Sequence, residues 1–369
     1  MHITFSTNYT LILAVLVLLL GKFLVSRIRF LRDFNIPEPV AGGLLIAAVI
    51  YILHVTMGWS FGFESSLQTA FMLAFFASIG LSANFAKLRQ GGIGLVIFLC
   101  VIVVFILVQN AVGIGLAKAL GLDPLVGLVA GSITLVGGHG TAGAWGSVLE
   151  QQHGLTGATT LGMACATFGL VIGGIMGGPL AKRLITQHKL AKPRSEADQL
   201  GSTPAAGHEQ NDFVNLESPS KTPRLITADA AIETLALFAA CLAFGEFMTH
   251  VTKGTAIQLP TFVWCLGGGV IIRNVLDYIF GFKVFDRAID VFGNVSLSIY
   301  LAIALLSLKL WELTDLAGPL VIILAVQTLV MALYAMFVTF RIMGKNYDAA
   351  VLAAGHCGFG MGATPTAVA

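Results

Sequence analysis

Charged residues are scarce in this chain. Asp, Glu, Lys and Arg make up 11% of its 369 residues, whereas soluble globular proteins carry about 25%. Hydrophobic residues account for 56% of the chain, and the mean hydropathy is +0.87. The formal net charge of +2 does not indicate a surface for nucleic acid. These values exclude an ordinary soluble domain and predict an all-α integral membrane protein.

Sequence motifs of enzymes and metal sites are also missing. The five cysteines form no CxxC pair, which argues against a disulfide framework and against a structural or catalytic metal. The chain has no GxSxG or HExxH motif and no pair of membrane aspartates, as an intramembrane protease would need. The glycines of Gly358-Phe-Gly-Met-Gly362 lack the preceding strand of a dinucleotide-binding loop. We therefore expect neither an enzyme nor a bound cofactor.

Nine apolar segments are long enough to cross a bilayer as helices, which takes about 20 residues. They are residues 10–25, 37–57, 67–86, 94–117, 160–180, 228–250, 259–276, 291–308 and 317–340. The first segment has no basic flank or cleavage site before it, so it is expected to be a retained helix. A polar segment, residues 188–226, is expected to be a disordered linker between an N-terminal unit (1–187) and a C-terminal unit (227–369).

Two glycine-rich stretches, residues 131–145 and 354–367, interrupt the apolar pattern. Each glycine costs a helix about 1 kcal/mol relative to alanine, and Pro365 about 3 kcal/mol, so an uninterrupted helix is not expected in either stretch. Non-helical backbone at membrane depth survives only inside protein or beside a water-filled cavity. We therefore predict re-entrant loops near residues 125–150 and 348–369. Close helix packing through small residues is the alternative interpretation.

Basic residues are unevenly distributed among the connections. With the N-terminus outside, 18 of the 21 Lys and Arg residues fall on the inner side, and Lys118, Lys253 and Lys309 fall on the outer side. Basic connections favour the cytoplasm, so the N-terminus is predicted to be periplasmic and the 188–226 linker cytoplasmic. The first loop then enters from outside after Lys118, and the second enters from inside after Lys345.

The two halves of the chain share short strings in the same order. The pairs are Ile36-Pro-Glu-Pro-Val40 with Leu259-Pro-Thr-Phe-Val263 and Gly137-Gly-His-Gly-Thr141 with Gly360-Met-Gly-Ala-Thr364, both offset by 223 residues, and Val108-Gln-Asn110 with Val326-Gln-Thr328, offset by 218. An odd number of crossings per half gives the copies opposite orientations, as in many secondary transporters. The predicted fold is two inverted-topology repeats of five helices, each with a re-entrant loop, in which the second repeat lacks its last helix.

The loops carry hydroxyl groups and bare backbone but no Asp, Glu, Lys or Arg. Neutral oxygens can coordinate Na⁺, and exposed N–H groups suit carboxylates; the lack of acidic residues disfavours a proton relay. The predicted Na⁺ ligands are Ser132, Thr134, Asn110, Thr141 and Thr364. The predicted substrate-binding residues are Gly137, Gly138, His139, Gly140, Thr141, Gly360, Gly362, Thr364, Pro365 and Thr366.

Several polar residues near the loops are open to two interpretations. His139 and His356 could carry protons or bind substrate, or each could be a neutral hydrogen-bonding residue. Gln109, Asn110 and Gln327 could be ligands or interhelical hydrogen bonds. A channel could also use re-entrant loops, but inverted halves suit alternating access better. The residues alone indicate a cation-coupled carrier of a small anion.

Longer strings resemble a known family, the bacterial sodium/glutamate symporters. They are Ile36-Pro-Glu-Pro-Val-Ala-Gly-Gly-Leu-Leu45, Met72-Leu-Ala-Phe-Phe76, Gly131-Ser-Ile-Thr134, Gly137-Gly-His-Gly-Thr141, Met163-Ala-Cys-Ala-Thr-Phe-Gly-Leu170, Gly293-Asn-Val-Ser-Leu-Ser298, Lys309-Leu-Trp-Glu312 and Gly344-Lys-Asn-Tyr-Asp-Ala-Ala-Val-Leu-Ala-Ala-Gly-His-Cys-Gly-Phe-Gly360. The resemblance implies electrogenic, Na⁺-driven uptake of L-glutamate across a bacterial inner membrane. It also implies glycine motifs in two re-entrant loops, and the family pattern continues past Ala369 with a final helix.

The resemblance also sets the expected partners. They are L-glutamate, Na⁺ as the coupling ion, and the lipid bilayer, with no cofactor and no nucleic acid. A homodimer is expected because membrane carriers of this architecture are often dimers. A Na⁺-coupled carrier of another small carboxylate is the alternative function, and a channel is a more distant one.

The predicted orientation can be tested by thiol labelling. A Ser202→Cys variant should resist a membrane-impermeant maleimide added to intact cells, because the linker is predicted to be cytoplasmic. Lys253→Cys, on the predicted outer side, should react and serves as the control. Labelling of the cysteine at position 202 from outside would contradict the orientation.

Overall fold

The computed structural model describes residues 2–33, 36–90, 92–190, 226–255 and 257–362. Most of these residues are helical. In the first half the helices are α1 (Thr7–Arg27), α2 (Arg29–Asp33), α3 (Glu38–Met57), α4 (Ser66–Ser82), α5 (Phe85–Gln90), α6 (Gly92–Ala119), α7 (Pro124–Leu128), α8 (Gly138–His153) and α9 (Ala158–Gln187). In the second half they are α10 (Ala228–Val251), α11 (Thr261–Tyr278), α12 (Asp286–Leu306), α13 (Ala317–Tyr334), α14 (Phe340–Ile342) and α15 (Tyr347–Gly360).

Two short strands are an exception to the all-α prediction. Strand β1 (His2–Phe5) pairs in parallel with β2 (Ser60–Phe63), with His2 opposite Ser60. The ring of Phe5 stacks on Phe63, with centroids 5.4 Å apart. The pair joins the start of α1 to the connection between α3 and α4. Nothing in the local sequence separates these residues from an ordinary loop, since the pairing joins segments far apart in the chain.

All nine predicted apolar segments fall on helices of the described chain. Seven spans there are long and apolar enough to cross a membrane, with the α13 span continuing to Ile342. The other two predicted segments correspond to α4, which has 17 residues, and α11, which carries Arg273 and Asp277 near its end. The chain is therefore a multi-pass, nearly all-helical membrane protein, as predicted, and its described residues include seven candidate spans.

The charged end of α11 is held by pairing. Arg273 is buried, with 4% of its side chain exposed. Its guanidinium contacts Asp277 at 3.1 Å and also pairs with Asp286 at the start of α12. It donates to the carbonyl oxygen of Leu81 on α4 at 3.4 Å. Because a charge inside an apolar bundle is costly unless paired, this network fixes the ends of three helices together.

The helices contact one another in two groups. The first consists of α1, α3, α4, α10, α11 and α12, and the second consists of α6, α7, α8, α9, α13 and α15. The largest apolar core lies in the second group, where Phe105, Leu135, Leu161, Ile323 and Met331 are fully buried. The described parts of both glycine-rich stretches, residues 131–145 and 354–362, belong to this second group, so they lie largely inside protein.

Glycines allow α7 to lie directly on α6. A Cβ atom added to Gly113 would overlap the carbonyl oxygen of Gly127, and one added to Gly127 would overlap the carbonyl of Gly113. Side chains would therefore separate the two helices. This contact positions α7, and with it the first glycine-rich stretch, against α6.

Alanine substitutions in α6 distinguish the effect of helix packing on stability from the effect of helix propensity. Gly113→Ala should lower the thermal unfolding temperature of the detergent-solubilised protein, because overpacking of this kind costs about 1–3 kcal/mol. Gly115→Ala, on the same helix, adds a methyl group where no atom lies within 4 Å. This control should be neutral or slightly stabilising, since alanine favours a helix over glycine. Equal unfolding temperatures for the two variants would contradict the packing argument.

Candidate functional site

The first glycine-rich stretch contains a break between two helices. Helix α7 begins where the carboxylate of Asp123 accepts a hydrogen bond from the amide of Leu125 at 2.8 Å. The helix then widens over Val129–Ile133, and Gly131 has the non-helical angles φ −111° and ψ −133°. Helix α8 starts at Gly138, whose φ is +69°. The helical geometry is interrupted only between Val129 and Gly138, so the loop predicted near residues 125–150 is corrected to this short break.

Gly140 and Gly143, which were expected in the loop, lie within α8. A Cβ on Gly140 would be 2.7 Å from Cε1 of Phe75, and one on Gly143 would be 2.9 Å from Cε of Met163. The hydroxyl of Tyr300 on α12 donates to the carbonyl oxygen of Gly140 at 2.9 Å. Here the glycines allow neighbouring side chains to reach the helix backbone, which offsets their low helix propensity. Gly140 therefore faces α4 and α12 and does not face the break.

Side chains satisfy the backbone groups that the break leaves free. The hydroxyl of Thr134 donates to the carbonyl oxygen of Val129 at 2.6 Å, and the hydroxyl of Thr141 donates to the carbonyl oxygen of Ile133 at 2.7 Å. The amide oxygen of Asn110 on α6 accepts from the backbone N–H of Ser132 at 3.2 Å. Four of the five predicted Na⁺ ligands are thus brought to one place. Each hydroxyl oxygen keeps lone pairs for a cation after donating its hydrogen.

His139 lies directly after the break and is 7% exposed. Its Nε2 is 3.0 Å from the hydroxyl of Thr167 on α9, and that hydroxyl donates to the carbonyl oxygen of Met163 at 2.8 Å. Because the Thr167 hydroxyl has one hydrogen, it accepts from the histidine, so Nε2 of His139 carries a hydrogen. The histidine links the break to α9 as a hydrogen-bonding residue.

The second glycine-rich stretch is helical as far as Gly360, which corrects the part of the predicted loop over residues 348–369 that the structure describes. Helix α15 is capped by Asn346, whose amide oxygen accepts from the N–H of Ala349 at 2.8 Å, and it continues through Gly360. Helix α15 packs on α9, where a Cβ on Gly177 would be 3.1 Å from the carbonyl oxygen of Ala354. Close packing through small residues, the alternative interpretation, is therefore correct for residues 354–360.

His356 sits in an aromatic enclosure on α15. Its Nδ1 is 2.8 Å from the hydroxyl of Thr339. Phe98, Phe105 and Tyr334 surround the ring edge-on, with centroids 5.6, 5.2 and 5.9 Å away. The residue is fully buried and anchors α15 between α6 and the end of α13.

The end of the second stretch lies against the break in the first. Helix α15 stops at Gly360, and Gly362 has a φ of +86°. A Cβ on Gly362 would be 3.4 Å from the carbonyl oxygen of Thr134 and 3.7 Å from that of Leu135. The structure therefore brings Gly362 and Thr134 together, as expected for neighbouring loops. The predicted ligands Thr364, Pro365 and Thr366 lie outside the described residues.

Gln109 and Gln327 connect α6 and α13 to these stretches. The Nε2 of Gln109 donates to the carbonyl oxygen of Gly360 at 3.2 Å, and the Nε2 of Gln327 donates to the backbone oxygen of Gln109 at 2.8 Å. The sequence left these residues open between ligand and interhelical hydrogen bond, and they do form interhelical hydrogen bonds. Gly360 points away from the break, since a Cβ there would be 3.0 Å from Phe105.

A large polar cleft, which the sequence did not predict, opens between the two helix groups. Its volume is about 960 Å³, and residues at one end of α4, α8, α9, α11 and α12 line it. Hydroxyl and amide side chains dominate the lining, together with Glu150, Lys309 and Glu312. Ala144 and Ala304 on its wall lie about one helical turn from Gly140 and Tyr300. The Tyr300–Gly140 hydrogen bond therefore lies directly beneath the cleft.

Comparison with known proteins identifies the family of this chain. The family model described as Sodium/glutamate symporter matches residues 3–369. A protein of Haemophilus influenzae named Sodium/glutamate symporter is 54% identical over 369 residues, which is 100% of this chain and 89% of the relative. One of the same name from Escherichia coli K12 is 54% identical over 363 residues, which is 98% of this chain and 87% of the relative. The chain belongs to the sodium/glutamate symporter family, and it is a transporter rather than an enzyme.

Proposed function

We propose that this protein couples Na⁺ entry to the uptake of L-glutamate across a bacterial inner membrane by alternating access. The family and the names of the relatives support the ion and the substrate. The structural observation that carries the proposal is the contact between the two glycine-rich stretches. A Cβ atom added to Gly362 would lie 3.4 Å from the carbonyl oxygen of Thr134. Interrupted segments that meet inside the protein are the usual substrate and ion sites of secondary transporters.

The chemistry at the break suits an anion and a neutral-oxygen cation site. Helix α8 starts at Gly138 with its N-terminus toward the break, and a helix N-terminus attracts carboxylates through its free N–H groups. Gly137 has no side chain of its own there, and the Thr141 hydroxyl occupies the space that a Cβ would need. The oxygens of Asn110, Thr134 and Thr141 lie beside it and suit Na⁺. The break thus offers neighbouring positions for a glutamate carboxylate and for the coupling ion.

The pattern of helix contacts supports two inverted repeats. The contact of α1 with α3 in one half corresponds to that of α10 with α11 in the other. Between the halves, α3 contacts α12 and α4 contacts α11. Such an exchange of partners is what a pseudo-two-fold axis produces. We further propose that the N-terminus is periplasmic and that residues 188–226 lie in the cytoplasm, because of the distribution of basic residues. We also propose a homodimer, because membrane carriers of this architecture are often dimers.

The polar cleft fits the outward-facing entrance of a carrier. The predicted orientation puts its lining helix ends on the periplasmic side, and the Tyr300–Gly140 hydrogen bond closes the path beneath it. Alternating access requires one side to be open while the other is closed. Movement of α8 and α9 relative to α4 and α12 would break this hydrogen bond and connect the cleft to the break.

Uptake into proteoliposomes tests the function. An inward Na⁺ gradient should drive accumulation of labelled L-glutamate above its external concentration, and a Na⁺ ionophore should abolish it. Saturable counterflow of glutamate should accompany uptake, because a carrier exchanges bound substrate. Accumulation driven by a H⁺ gradient alone would contradict Na⁺ coupling. Flux without counterflow would instead indicate a channel.

Cysteine protection tests whether both stretches form one site. Val136, which is partly exposed in the turn before α8, is a better position than Ala142, which is buried against Gly162. Val136→Cys and Ala363→Cys should both be alkylated in the absence of ligands, and Na⁺ with glutamate should slow both reactions. Lys253→Cys, in the connection after α10, should react at the same rate with or without ligands. Protection of only one of the two stretches would contradict a shared site.

A further inference from the structure

The crossing of α6 and α13 contains two buried amide groups with unused acceptors. Gln109 and Gln327 are both 0% exposed. The Nε2 of each is hydrogen-bonded, but the Oε1 of each has no hydrogen-bond partner among the described residues. Leaving a buried polar atom without a partner is costly, and two such atoms at one helix crossing require an explanation.

The assignment of the unpaired atoms follows from their neighbours. The amide of Gln109 contacts the carbonyl oxygen of Gly360, and the amide of Gln327 contacts the carbonyl oxygen of Gln109. Carbonyl oxygens only accept hydrogen bonds, so the NH₂ group of each glutamine must face them. Rotating either amide by half a turn would oppose two acceptors. The unpaired atom of each glutamine is therefore the oxygen.

Each of the two amides lies beside one of the interrupted stretches. A Cβ on Gly131 would be 3.7 Å from Nε2 of Gln327 and 3.2 Å from the amide oxygen of Asn110. Gln327 is therefore next to the non-helical residue of the first stretch. Gln109 holds Gly360, the last residue of α15. The two glutamines also occupy matching positions in the strings Val108-Gln-Asn110 and Val326-Gln-Thr328.

A small cation fits as the missing partner, because Phe105 and Met331, the side chains nearest to Gly360, are apolar and offer no hydrogen-bond donor there. Amide and carbonyl oxygens are typical ligands of hard cations. A cation would satisfy an acceptor without needing a hydrogen-bond donor from the protein.

We propose that Oε1 of Gln327 and Oε1 of Gln109 are ligands of coupling Na⁺ ions, the first at the break near Gly131 and the second at the end of α15. This inference rests on the proposed Na⁺-coupled transport. A cation on Oε1 polarises the amide and strengthens the hydrogen bond that its NH₂ group donates. Na⁺ binding therefore tightens Gly360 onto α6 and α6 onto α13, and so orders both stretches before glutamate binds.

Substitution by leucine or by glutamate separates a ligand role from a hydrogen-bonding role. Gln327→Leu removes both functions, whereas Gln327→Glu keeps an oxygen and removes the NH₂ donor. The same pair is made at Gln109. Thr328→Val is the matched control, because its hydroxyl donates only to Leu324 in the same helix, at 2.8 Å.

The measurement is the Na⁺ concentration that gives half of the thermal stabilisation of the detergent-purified protein, at constant ionic strength with choline replacing Na⁺. The leucine variants should raise this midpoint at least about tenfold, the factor that corresponds to about 1.4 kcal/mol. The glutamate variants should keep or lower it, because a carboxylate oxygen binds Na⁺ more strongly than an amide oxygen. The control should match the parent protein. The Na⁺ concentration that gives half-maximal glutamate uptake is a second, independent measure of Na⁺ binding.

Two outcomes overturn the inference. Leucine variants with the midpoint of the parent protein would show that the oxygens do not bind Na⁺. A glutamate variant whose midpoint rises would show that the NH₂ donor is what matters, and this comparison still decides if the leucine variants do not fold. Failure of the parent protein to take up glutamate with Na⁺ would defeat the proposed function, whereas normal uptake with either of these variant results would defeat the ligand assignment alone.

Discussion

A helix that breaks inside an apolar bundle must find partners for the backbone groups it exposes, and the second helix group is arranged around this requirement. The break between α7 and α8 is held by Thr134 and Thr141 from the segment itself and by Asn110 from α6. Since the hydrocarbon core of the bilayer contains no water that could replace these hydrogen bonds, the bond from Asn110 fixes the break to α6. The glycine contact between Gly113 and Gly127 brings the two helices close enough for Asn110 to reach.

Glycine has two different roles in the two stretches, and composition alone does not separate them. At Gly131 and Gly138 the backbone adopts non-helical or left-handed angles, so glycine permits the break. In α15 the glycines remain helical, because Ala353 and Cys357 are buried and the helix packs on α9. The deciding factor is a neighbouring helix from elsewhere in the chain. A helix propensity scale contains no such information, which is why a loop was predicted near residues 348–369.

The helix positions could be predicted because membrane thickness fixes the length of an apolar run, and each predicted run coincides with a helix. Features that join distant residues could not be predicted. The bond between Tyr300 and Gly140 and the pairing of Arg273 with Asp286 depend on how whole helices are placed. At the candidate site, Thr134, Asn110 and Thr141 could be selected by residue type, since a break needs hydroxyl and amide groups to bond its backbone. Their role as Na⁺ ligands stays a prediction. The same reasoning placed Gly140 at the break, although it faces α12.

The crossing of α6 and α13 is the place where the two stretches can influence each other. Gln109 bonds the end of α15, while its own carbonyl accepts from Gln327, which lies beside Gly131. A coupling free energy between two ligands is typically about 1–3 kcal/mol, and a single buried hydrogen bond contributes about 0.5–1.5 kcal/mol. Two amide hydrogen bonds that strengthen together are therefore of the right size to couple ion binding to substrate binding. A rigid apolar crossing would hold the two stretches equally close. It would contain no hydrogen bond that the ion could strengthen, so ion binding could not make the stretches more rigid.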